Sequence, residues 1–244
     1  MDLTWIIVVG AFITASFIKG TTGMGFPLIA TPMVALVVDL KTTYALLLLP
    51  NILMDVLQIG RHELPWALWR RLATFLGTTS VGVFLGLRIF LSVSERFIFL
   101  AMAAMIVLYL ISVRLRFAPQ FSPRQEVWLG PCVGLLGGVL TGITNVIGPL
   151  VVIYVLGLGL SKGEIVKGLA SIFLAAKASQ LLIMSQWGLY TPRIFLVSAA
   201  MTAVALAAFW AGLRTQDRVP QVTFLRIVYG LLLVMACIFT VRGL

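Results

Sequence analysis

Apolar runs follow one another along almost the whole chain, over 4–18, 25–38, 43–60, 67–90 and 95–113 and again over 128–144, 148–160, 165–185, 192–213 and 222–241, with only short charged loops between them. A bilayer's hydrocarbon core is spanned by about 20 helical residues, so this pattern points to an all-α, polytopic membrane protein. At 61% hydrophobic and 11% charged residues, the chain exceeds the roughly 45–50% apolar content of soluble domains, and no stretch is left over for a soluble module. Asp2 and the lack of a basic leader argue that residues 1–19 are retained as the first helix rather than cleaved.

The two halves align. A shift of 122 residues lays Lys19–Leu28 on Thr141–Leu150, matching Gly20 with Gly142, Thr22 with Thr144 and Pro27-Leu28 with Pro149-Leu150. The same shift places Gln58 on Gln180 and Asp55 on Lys177. With small gaps, Gly86-Leu87-Arg88 falls on Gly212-Leu213-Arg214, and Ser112-Val113-Arg114 on Thr240-Val241-Arg242. Several matches in one order indicate a duplication: a first membrane repeat over 1–118, an inter-repeat loop over 119–126 and a second repeat over 127–244. Each repeat then holds a broken pair of half-helices followed by three transmembrane helices, about ten segments in all.

Loop charge decides how the broken pairs are counted. If each pair is one crossing, the basic loop residues split 8 to 8 across the membrane. If each pair crosses twice or re-enters, Arg61, Arg70, Arg71, Arg114, Arg116, Arg124, Lys162, Lys167, Arg214, Arg218 and Arg226 share one side. Lys41, Arg88, Arg96, Arg193 and Arg242 remain opposite, which is 11 to 5 and favours the second arrangement. The second repeat is then inverted relative to the first, and both termini are extracytoplasmic.

The net charge of +10 is accounted for by these loops, which removes the case for nucleic-acid binding. Cys132 and Cys237 lie in apolar segments without ligand-spaced neighbours, so they read as small core residues rather than a disulfide or metal site. His62, flanked by Arg61 and Glu63, reads as a solvated loop residue, and Trp66 and Trp69 beside Arg70-Arg71 read as interface anchors. No Ser–His pairing, phosphate-binding loop or carboxylate pair is present. The chain is therefore expected to be no enzyme, with no catalytic residues, no metal and no cofactor.

Function should concentrate at the breaks. In the first, Gly23 and Gly25 allow backbone N–H groups to approach a ligand, Pro27 can open a half-helix whose N-terminus suits an anion, and Lys19, Thr21 and Thr22 add a cation and two hydroxyls. The second break offers Thr141, Thr144 and Asn145, followed by Gly148 and Pro149. Asn51, Asp55 and Gln58 stand at i, i+4 and i+7 on one helical face, and Lys177 and Gln180 share a face in the equivalent helix, with Ser171 nearby. Three arrangements are open: Asp55 pairs with Lys177 across the pseudo-symmetry axis, Asp55 balances Lys19 while Lys177 faces substrate, or the charges form a packing salt bridge alone. The glycines and threonines could equally serve close helix packing.

Gly20-Thr21-Thr22-Gly23-Met24-Gly25-Phe26-Pro27-Leu28-Ile29-Ala30-Thr31-Pro32, followed by Leu49-Pro50-Asn51-Ile52-Leu53-Met54, resembles the N-terminal signature of the sulfite exporter (TauE/SafE) family. Gly137–Gly142 followed by Gly148–Tyr154 resembles its second repeat, and the likeness covers essentially the whole chain. Phe26-Pro27 and Asn145-Val146-Ile147 stand where glycines are frequent in the family. The resemblance implies a secondary transporter, an exporter in the first instance, of small sulfur-containing anions such as sulfite or organosulfonates in the bacterial inner (plasma) membrane. A small-anion channel, a carrier of another small organic anion and a non-transporting membrane assembly factor are the alternatives. The partners expected are a small anionic substrate and the lipid bilayer, with monomer and homodimer both open.

Overall fold

The computed structural model describes residues 3–61, 64–115, 120–146, 149–215 and 221–243. Ile147, Gly148, His62, Glu63, Arg116, Pro119 and Arg218, which entered the expectations above, lie outside the described residues. The described residues form eleven α-helices and no strand: α1 Leu3–Thr22, α2 Phe26–Ala35, α3 Leu40–Gly60, α4 Trp66–Arg71, α5 Ala73–Ser92, α6 Glu95–Leu115, α7 Pro123–Thr144, α8 Pro149–Gly157, α9 Lys162–Gln186, α10 Pro192–Thr215 and α11 Gln221–Gly243. Six of them are long and apolar enough to cross a membrane. In hydrocarbon an unpaired backbone group costs several kcal/mol, so apolar runs of this length close their hydrogen bonds internally as helices.

Two features differ from the sequence expectation. The first member of each broken pair is a full-length helix, α1 of 20 residues and α7 of 22, and only the second member is half-length, α2 of 10 and α8 of 9. The apolar run ends before Lys19, but the helix continues through Thr22 because Lys19 finds buried partners. The helix beyond the ten expected segments, α4, is set off from α5 by Leu72 alone, and both Leu72 N–H to Leu68 O and Leu76 N–H to Leu72 O are made at 2.9 Å, so the two form one kinked segment.

Contacts fix the helix directions. Lys19 and Gly23 at the end of α1 meet Asp55 and Gln58 at the end of α3, while Ser198 near the start of α10 donates to Leu46 O near the start of α3 at 2.8 Å. Gly20 in turn lies against Gly212, so α1, α3 and α10 run parallel. On the other side Gly134 lies against Phe75, Gly138 against Gly82 and Gly142 against Gly86, making α5 and α7 parallel. The chain must recross after α3, so α5 and α7 oppose α1, and α9 joins them because Val166 near its start lies beside Gly23. The first and third helices of one half therefore run with the fourth helix of the other, and the halves have opposite orientation.

The two glycine contacts repeat this relation: Gly20 on Gly212 and Gly142 on Gly86 are aligned positions with the halves exchanged. Without side chains there, backbones touch, which is how helices gain dispersion where lipid provides no hydrophobic drive.

Each half-helix is held at its C-terminal end by an arginine from the opposite half. Arg242 Nη2 donates to Leu36 O at 3.0 Å and its Nη1 to Ala35 O at 3.2 Å, after α2. Arg71 Nη2 donates to Leu158 O at 3.0 Å, after α8, and forks onto Glu126 of α7. Leu36 and Leu158 are themselves 122 residues apart, and in each case a cation meets the negative end of a helix dipole.

The cysteines correct the sequence reading. Cys132 and Cys237 are free and exposed on the outer faces of α7 and α11 rather than in the core, since a lipid-facing position accepts an apolar side chain as readily as the interior does. Trp66 is exposed, and Trp69 packs edge-to-face on it at 5.0 Å while donating Nε1–H to Ser171 Oγ at 2.7 Å. Ser171 is thereby turned toward α4.

Candidate functional site: a buried charged cluster between two helix breaks

Both breaks use the same backbone device. Gly23 N–H closes on Lys19 O at 2.8 Å and Asn145 N–H on Thr141 O at 2.8 Å, each residue entering the left-handed region, at φ 84° and 62°. Glycine takes that conformation freely, and asparagine is among the few other residues that adopt it routinely. Each freed carbonyl is then taken by a side chain from the third helix of the same half: Gln58 Nε2 donates to Gly23 O at 2.7 Å, and Lys177 Nζ to Asn145 O at 3.0 Å. Gly25, at φ 101°, caps α2 just ahead of Phe26 and Pro27.

The threonines support this geometry. Thr21 and Thr22 hydroxyls donate to Ile18 O, at 2.9 and 2.8 Å, and Met24 N–H returns to Thr22 Oγ1. Thr141 donates to Gly137 O and Thr144 to Leu140 O, both at 2.7 Å. The four hydroxyls lie against carbonyls of their own helices, so these residues shape the breaks.

Two fully buried lysines face one fully buried aspartate. Lys19 Nζ contacts Asp55 Oδ1 at 2.5 Å and Asn51 Oδ1 at 2.7 Å, and stands 5.9 Å from the centre of the Phe173 ring. Lys177 Nζ donates to Asn145 Oδ1, Asn145 O and Gln180 Oε1. Of the three arrangements left open by the sequence, Asp55 pairs with Lys19, and Lys177 is held by neutral oxygens. Four buried polar atoms of the cluster have no partner: Asn51 Nδ2, Asp55 Oδ2, Gln58 Oε1 and Gln180 Nε2. Buried polar groups are normally satisfied, so such a concentration in one place leaves hydrogen-bonding capacity unused within the cluster.

A cavity of ≈ 30 Å³, room for about two water molecules, lies between the breaks, with Met24, Gly25 and Pro27 on one side and Val146, Val152 and Phe173 on the other. The structure thus brings together eleven expected residues from both halves: Lys19, Thr21, Thr22, Gly23, Asn51, Asp55 and Gln58, and Thr144, Asn145, Lys177 and Gln180. Gly25 lines the cavity, and Thr141 sits one turn before its break.

The sequence reading missed three contributors. Thr31 accepts from Asn145 Nδ2 at 3.0 Å, tying α2 to the opposite break. Tyr44 donates to Ile143 O at 2.5 Å, and Phe173 lies over Lys19. A hydroxyl next to Pro32 within an apolar run was the available signal for Thr31; Phe173, one aromatic among many, carried none.

No curated protein and no solved structure matches the chain significantly. One family does, under the description Sulfite exporter TauE/SafE, and its match runs over residues 7–239, from the second turn of α1 to the last turns of α11, so that both breaks and all three buried charges fall inside it. By a match over nearly its entire length, the chain belongs to the sulfite exporter TauE/SafE family of membrane proteins.

Proposed function

We propose that this protein is a secondary transporter, working as an exporter, that carries small sulfur-containing anions such as sulfite or a short organosulfonate across the plasma membrane. The single observation that carries the proposal is the meeting of two lysines and one aspartate, all without solvent exposure, where helix breaks from both halves converge. An ionisable group buried in a membrane is expensive, and transporters place such groups on the substrate path. Lys19, Lys177, Asn51 and Gln180 bind the anion, the start of α2 at Gly25 adds its dipole, and Asp55 sets the local charge.

The halves are inverted repeats that rock about this site, exposing it to one side at a time. The opposed helix directions and the exchanged glycine contacts support that symmetry, and the 11 to 5 distribution of basic loop residues supports extracytoplasmic termini. The test is flux of radiolabelled sulfite and methanesulfonate in proteoliposomes. A carrier gives saturable uptake that internal unlabelled anion accelerates. Non-saturating flux without counter-exchange would mean a pore, and no flux of either anion would sink the proposal.

A further inference from the structure

Building on the transport reading above, we infer that the site is matched to a substrate bearing one net negative charge, so that a dianion crosses only after taking up a proton. Lys177 Nζ donates to three oxygens, Asn145 O at 3.0 Å, Gln180 Oε1 at 2.9 Å and Asn145 Oδ1. An ammonium has three N–H bonds and a neutral amine two, so three oxygen neighbours suit the charged form, and Lys177 enters the charge count as an ammonium. Lys19 and Asp55 cancel as a contact pair at 2.5 Å. Tyr44 donates its proton to Ile143 O and is neutral.

Around the cluster, α2 contributes no titratable side chain, and Arg71 pairs with Glu126 at the membrane face. Lys41, Arg70, Arg88, Arg124, Glu164, Lys167, Arg193 and Arg214 stand at the ends of the helices packed on α3 and α9. Two cations and one anion leave a single excess positive charge, located at Lys177, whose partners are all uncharged oxygens.

A buried ion without a counter-ion carries a large desolvation penalty. A monoanion brings the cluster to neutrality. A dianion overshoots to a net negative charge and restores the penalty with the opposite sign. Gln180 and Asn51, each already holding a lysine through its carbonyl oxygen, have buried amide nitrogens without partners, and these supply N–H donors to the anion without altering the count. The loaded cluster is electroneutral while the empty one carries a charge, so charge selection needs no shape-specific contact with the rest of the substrate.

Three probes separate the outcomes in wild-type proteoliposomes: methanesulfonate, always a monoanion; sulfate, a dianion; and sulfite, which passes from hydrogensulfite to the dianion near neutral pH. From mildly acidic to mildly alkaline pH the ratio of sulfite to methanesulfonate flux should fall with the hydrogensulfite fraction, and sulfate should move at least about tenfold more slowly than methanesulfonate. Asp55→Asn adds one positive charge to the cluster and should raise the sulfate-to-methanesulfonate ratio by about tenfold or more. Should that variant misfold, the wild-type comparison decides alone. Sulfate moving as fast as methanesulfonate overturns the charge match, as does a parallel fall of sulfite and methanesulfonate flux with pH, because the titrating group would then belong to the protein. Absence of flux for all three probes overturns the transport reading itself, whereas flux without charge preference overturns only the match.

Discussion

Replacing Gly142 with alanine should loosen the seam between α5 and α7. A Cβ at Gly142 would stand 2.7 Å from Gly86 Cα and from Leu87 N, whereas ordinary contacts begin at 3.4 Å, so the helices must part by about 0.7 Å (3.4 − 2.7). Backbone cannot rotate away as a long side chain can. A gap of 0.5–1 Å forfeits roughly a quarter to a half of the dispersion at each facing atom, and the seam runs for three turns through Gly82, Gly134 and Gly138. Overpacking of this kind costs about 1–3 kcal/mol. At about 2–4 °C per kcal/mol for a chain of this size, the midpoint falls by about 2–12 °C.

Gly10→Ala is the control, because nothing lies within 4 Å of a Cβ there, and its midpoint should hold or rise slightly. The assay is thermal unfolding in mild detergent, followed by loss of the monodisperse chromatographic peak. If Gly142→Ala melts together with Gly10→Ala, close backbone packing is not what joins the two halves.

Asp55→Leu alone should cost about 3–5 kcal/mol by leaving Lys19 buried and unpaired, and Lys19→Met/Asp55→Leu should recover most of that loss; additive losses in the same thermal assay would contradict the pairing. Asn145→Gly keeps the left-handed break and Asn145→Ala strains it by about 1–2 kcal/mol, so the alanine variant should be the less stable although both lose the oxygen that holds Lys177. Arg71→Ala should speed amide exchange at the end of α8, and Arg242→Ala at the end of α2, each by about 1 kcal/mol once exposure of the arginine is allowed for. Exchange that rises at both ends in either variant would show that the clasps do not act separately.

Hydropathy located the segments, and the two Gly/Pro clusters located the breaks, because backbone that leaves a helix inside a membrane needs those residues whatever they pack against. Hydropathy could not show that α1 runs on through Lys19. The charge lowers the local apolar score, and its neutralisation by Asp55 is a contact 36 residues away. The same blindness sent Cys132 and Cys237 to the wrong side of their helices, for in lipid both faces are greasy. Helical spacing put Asn51, Asp55 and Gln58 on one face correctly, yet the choice between Lys19 and Lys177 as the partner of Asp55 depended on how α1 and α9 approach α3. The threonines were legible as residents of the breaks but not as donors to their own helices.

The two arginine clasps make the halves mechanically interdependent. Each half-helix starts in its own half, at a hinge of left-handed backbone, and ends in the grip of the other. It behaves as a strut pinned at both ends to different bodies, so rotation of one half against the other must either swing the strut about its hinge or unpin it. Because α2 and α8 are pinned by different arginines, unfastening one leaves the other in place.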